Sequence, residues 1–191
     1  MWQAVNQLIV RVSASGPLFL LTLAVFAGTL FLLTSISNGF PAIAGGAPPF
    51  DMQNGLTAAQ VLEQLPGYTD EARRQYLAFT AIDYVFPFAG GLFLAAIAAY
   101  CLRKQFAPIY ARAVAGNWLA WLMLASLFDW CENIAAITAI SAWPGTTEAM
   151  ATAVVVAKKL KLGFLFATQG GVLLLMLASA VRWALARRRA S

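Results

Sequence analysis

The sequence predicts an all-α polytopic membrane protein, a four-transmembrane-helix bundle with a short helical cap on its outer side. Three observations carry this. Of 191 residues, 61% are hydrophobic and 11% charged, less than half the charged share of about 25% usual in soluble domains. Mean hydropathy is +0.72. Four apolar runs, at about 17–36, 76–102, 113–140 and 160–186, each have the roughly 20 residues that crossing a bilayer takes. The chain, 1–191, reads as one domain. Its composition argues against a disordered chain, a disulfide-stapled secreted module and a soluble enzyme.

The first run follows Arg11. It is longer than the apolar core of a typical signal peptide, and Ser35–Gly39 separates it from the small residues Ala42-Ile43-Ala44, so it reads as a span, with cleavage as the alternative. The loop 37–75 begins irregularly with Gly39, Pro41, Gly45, Gly46, Pro48 and Pro49. Thr57-x-x-Gln60 is a capping box for a short helix ending near Leu65, and Pro66-Gly67 breaks it. Thr69 caps the next helix, with Asp70 and Glu71 in its first turn, where the helix dipole favours acids. That helix runs on through Arg73 and Arg74 into the second span. Eight basic residues fall on the side of both termini and five on the other. The excess places both termini in the cytoplasm of a bacterial inner membrane, with loop 37–75 outside. Trp118 and Trp183 then sit near the cytoplasmic interface, and Arg187 to Arg189 anchor to anionic lipid.

There is no histidine, which removes His-based acid–base chemistry and His-ligated metals. Cys101 and Cys131 form no CxxC, and both are expected as buried, reduced thiols. No metal and no cofactor is expected. The formal charge is +5, but the basic residues flank apolar runs as membrane topology requires, so membrane lipids and not nucleic acid are the expected partners. A larger membrane complex or a homodimer would be a further partner. Small residues four apart (Gly91, Ala95 and Ala99; Gly163, Ala167 and Gly171) suit close packing of helices within the chain.

Ionisable groups inside spans are costly and mark candidate sites. At about 1.5 Å per residue, Asp83 lies about 30 Å from Arg103, Asp129 about 24 Å from Ala113, and Lys161 about 32 Å from Arg182. All three thus approach one level, the outer leaflet. Asp129, Glu132 and Asn133 share a helix face, as do Thr80, Asp83, Tyr84 and Pro87, and so do Lys158, Lys161, Leu165 and Gln169. These stripes should face one another, away from lipid. Pro87 cannot donate to the Asp83 carbonyl, which frees that oxygen. The candidate ligand-binding residues are Asp83, Tyr84, Asp129, Glu132, Asn133, Lys158, Lys161 and Gln169. The same residues would serve a structural ion-pair lock, and acids outnumbering lysines is what favours a site.

The pattern Tyr76…Asp83-x-x-Phe86-Pro87, then Asp129-x-x-Glu132-Asn133, then a lysine opening the last span, resembles small uncharacterised bacterial four-span membrane proteins. The likeness covers most of Phe50 to Lys161, including Asp51 and Gly67-Tyr68, and implies no activity. The acid before a proline in the second span is also similar to the emopamil-binding, sigma-2-receptor-like fold, whose buried carboxylates bind amines or sterol-like ligands. The histidine used by its isomerase members is missing, and the third span does not match. Three functions are therefore expected in turn: an acid-rich pocket for a small cationic or lipid-like ligand; a non-catalytic accessory subunit of a larger membrane complex; or an acid-based intramembrane enzyme or proton-coupled transporter.

Overall fold

The computed structural model describes residues 1–190. Ser191 and the side chains of Arg189 and Ala190 lie outside the described residues, so of the expected basic anchor only Arg187 and Arg188 are placed, Arg187 over the Trp183 ring at 4.1 Å. The described residues contain helices and no strand. Four segments are long and apolar enough to cross a membrane: Gly16–Ala42, Asp70–Gln105, Trp118–Ala142 and Glu148–Arg188.

A helix precedes the first of these. α1 (Trp2–Ala14) is amphipathic, burying Asn6, Ile9, Val12 and Ser13 at helical spacing. Ser15 ends it in an extended conformation and caps α2 (Gly16–Gly39) through its Oγ, which accepts the Leu18 N–H. α2 is a plain apolar rod whose buried residues are Thr22 and Leu33.

The second and third runs are not the single helices expected. Residues 76–102 belong to α4 (Asp70–Asp83) and α5 (Phe86–Gln105), broken at Tyr84–Val85. Pro87, in the first turn of α5, has no N–H for the preceding turn. Residues 113–140 belong to α6 (Ala107–Ala115), a 3-10 segment Trp118–Met123, and α7 (Leu124–Ala142). Here Gly116 and Asn117, the latter left-handed at φ 57, interrupt the helix. Asn is among the few side chains that tolerate that conformation. α8 (Glu148–Ala190) starts about a dozen residues before the expected 160. Beyond Glu148 its first turns are apolar except for Thr152, with Ala151 and Val154 fully buried, but Lys158, Lys159 and Lys161 divide them from the longer apolar run that follows.

The loop between α2 and α4 is the expected helical cap. It has 3-10 turns at Phe40–Ile43, Phe50–Met52 and Leu65–Gly67, and α3 (Ala58–Gln64). Both expected caps form: the Thr57/Gln60 box on α3, and Thr69 accepting the Ala72 N–H on α4. Gly45, at φ +65, brings its Cα face against Gly67, where a Cβ would stand 3.3 Å from the Gly67 Cα. Phe40, Phe50, Tyr68 and Tyr76 pack ring to ring beneath the cap at 5.4–6.4 Å. At the other end, the base, Ile9 and Val12 of α1 pack on Ala95, Ala96 and Ala99 of α5.

Two smaller expectations fail. Cys101 is buried, but Cys131 is exposed, because it stands two residues from Asp129 and so on the opposite face of α7. Gly163 and Gly171 face open space and serve no tight helix crossing. The close approaches occur on α5, where a Cβ on Gly90 would meet the Phe26 ring and one on Gly91 would meet Ser126.

Candidate functional site

Three helices converge below the cap. α4 ends on Asp83, one face of α7 carries Asp129, Glu132 and Asn133, and α8 brings Lys158 and Lys161. The cap lowers Phe50 and Asp51 between them. The three helices therefore turn these residues toward one another, with Asp83, Glu132 and Asn133 each 1% exposed.

The two lysines divide the work. An ammonium has three donors. Lys158 Nζ donates to the carbonyls of Phe50 and Asp51 and to Glu132 Oε1, each at 2.9 Å. Lys161 Nζ lies 2.6 Å from Asp129 Oδ1 and 2.7 Å from Glu132 Oε2, and it also bonds Asp51 Oδ1. The Glu132 Oε2 contact is an ion pair set off the hydrogen-bond direction. Asn133 Nδ2 donates to Asp83 Oδ2 at 3.0 Å. Burial pushes the Asp51 carboxyl up, but the Lys161 and Lys158 ammonium groups more than offset this and hold it below the usual carboxylate range.

Asp51 is the member that the candidate list lacks. It stands in an irregular Gly/Pro-rich stretch with no periodicity to give it a face. The available signal is its position between Phe50 and Met52, an acid inside an apolar triplet. Tyr84 and Gln169 stand apart from the cluster. Tyr84 occupies the break between α4 and α5, where its carbonyl accepts the Trp130 indole N–H at 2.9 Å. Gln169 is exposed and lines a cavity below the cluster.

That cavity, of about 450 Å³, lies between α5, α7 and α8, with Phe26 of α2 at its side. Its walls are mainly apolar, among them Phe86, Phe93, Leu94 and Leu165. Asp51, Asp129 and Lys161 form its charged end. Gly91 lets Ser126 reach the α5 backbone, where its Oγ donates to the Pro87 carbonyl at 2.6 Å.

Carboxylate oxygens of Asp51, Asp129 and Glu132 lie within 4.8 Å of one another, a spacing that suits a cation. The Lys161 ammonium already contacts all three residues, so the cation of this group is a side chain. Three carboxyl groups, those of Asp51, Asp129 and Glu132, share two ammonium groups, and acceptors are left over. Asp129 Oδ2 is buried and has no hydrogen-bond partner. A buried acceptor without a donor is unfavourable by about 1–3 kcal/mol. The chain matches no family model, no curated protein and no solved structure.

Proposed function

We propose that this chain is an integral membrane protein that binds a small amphiphilic ligand in the cavity between α5, α7 and α8. A cationic or hydrogen-bond-donating group of the ligand meets Asp129. The observation that carries the reading is that Asp129, whose buried Oδ2 has no hydrogen-bond partner, lines the charged end of a mainly apolar cavity. A donor arriving there satisfies the acceptor, and a positive one also offsets the excess of carboxyls. The apolar walls suit the rest of the molecule. The excess of basic residues on the side of both termini supports an inner-membrane orientation with both termini in the cytoplasm and the cap outside.

Glu132 contacts both lysines, so replacing it tests the fold as much as binding. Asp129 is the cleaner target. The protein released from its own membrane in mild detergent should carry a reproducible small adduct in native mass spectrometry, and Asp129→Asn should lose it while keeping its melting temperature within a few degrees. An adduct retained in full by that variant refutes the reading.

A second reading, accessory subunit of a larger complex, is favoured by how little of α2 is buried. The same spectrum tests it. Other polypeptides at fixed ratio support it, and a lone 20.5 kDa chain counts against it.

A further inference from the structure

A second hollow of about 310 Å³ lies nearer the base, between α5, α6 and α8 and beside the 118–123 segment. Leu122 lines both it and the first cavity. The lining residues continue from one to the other along single helix faces. On α8, Lys161, Leu165 and Thr168 line the first, and Val172 and Leu175 line the second. The steps are four, three, four and three residues, which is one unbroken stripe. α5 repeats the pattern with Pro87, Gly91 and Leu94 above, then Ala98 and Leu102 below. The third wall runs from Asp129 through Ala125 and Leu122 to Trp118. Three stripes facing one axis, with Leu122 shared, set the two cavities end to end.

From Lys161 to Leu175 the path is about 21 Å long at 1.5 Å per residue. One leaflet of hydrocarbon is about 15 Å deep, half of a roughly 30 Å core. The path is therefore longer than the first cavity needs, and its length suits one extended lipid chain. Its lower part is apolar and carries no charged side chain, so it offers nothing to a second polar group.

Resting on the function proposed above, we infer that the ligand is a single-chain amphiphile. Its donor head meets Asp129, and its hydrocarbon tail passes Leu122 to lie along Val172 and Leu175. A compact ligand would fill the upper cavity and leave the lower one unused.

The test uses the full chain in phosphatidylcholine nanodiscs and two probes, octylamine and hexadecylamine. Affinity is expressed per mole fraction of amine in the bilayer, so that partitioning cancels. Hexadecylamine should bind at least tenfold tighter. Gly171→Phe fills the lower hollow from a position where a Cβ meets nothing within 4 Å, so the fold is not at issue. It should bring the ratio of the two affinities close to one, and Leu122→Trp should do the same from the position that lines both cavities. Equal affinities in the wild type, or a ratio that survives both substitutions, overturn the single-chain assignment. If both amines bind and both are lost in Asp129→Asn, the proposed function stands even where the chain-length result fails. If neither amine binds, both fall.

Discussion

Lys158 and Lys161 at the cap end are buried among four carboxyl-bearing side chains. At the base, Arg103 and Lys104 lie at 5.8 and 6.0 Å from the ring of the exposed Tyr100, and Arg103 spends one donor on the Ser13 carbonyl at 2.7 Å. The cap end holds its charges away from solvent and binds them to one another. The base keeps them at the surface and builds its interior from small apolar residues such as Ala95, Ala96 and Ala99. The difference tells where substitution is costly. Surface cations trade one partner for water at little loss, whereas a buried charge that loses its partner has no substitute.

The sharpest way to break this contrast is Glu132→Ala. It takes one contact from each buried lysine, and the expected loss is about 3–5 kcal/mol, read as a steep fall in melting temperature in detergent. Gly91→Leu comes next. It pushes against Ser126 and Met123 and should cost about 3 kcal/mol by overpacking. Asp51→Asn removes one carboxylate from Lys161 but leaves the Phe50 and Asp51 carbonyls on Lys158. About 2 kcal/mol should be lost, seen as faster hydrogen exchange confined to the cap. At the base, Arg103→Gln should cost about 1 kcal/mol and leave the cap's exchange as it was. An equal response of the cap to the Arg103 and Asp51 substitutions would erase the distinction between the two ends.

The smallest effect is an expected constancy. A carboxyl held below its ordinary pKa of about 3.9 contributes stability that is fully present above that value and is lost as pH falls through the lower folded-state pKa. The Asp51 contact should therefore hold the cap equally at pH 8 and pH 5. Cap exchange that quickens between those values in the wild type, but not in Asp51→Asn, would contradict it.

The sequence disclosed most where periodicity and cost coincide. Asp129, Glu132 and Asn133 declare a face because charge in an apolar run has to be hidden, and helical rise alone sets their level beside Asp83 and Lys161. The Thr57/Gln60 box and the Thr69 cap were equally legible, since both are local chemistry. What stayed hidden depends on distant partners. Asp51 finds its place only through two lysines more than a hundred residues away. The early turns of α8 are separated from its long apolar run by Lys158, Lys159 and Lys161, and the burial of Lys158 and Lys161 depends on partners in the cap and on α7. The turn at Asn117 sits in a run apolar enough to pass for uninterrupted helix. α1 escapes for a related reason, since Asn6 is buried by donating to the Val114 carbonyl at 3.2 Å, a contact that short-range patterns do not contain.

Lys158 also sets an order of assembly. The carbonyls of Phe50 and Asp51 are made well before the Lys158 ammonium that donates to them, which arrives with α8. Chains are built from the N-terminus and begin to fold as they emerge, so the cap is made about a hundred residues before its fastening. A chain truncated before Lys158 should lack that fastening, and its residues 44–56 should be cut faster by protease than those of the full chain. α8 thus completes a surface that begins more than a hundred residues earlier in the chain.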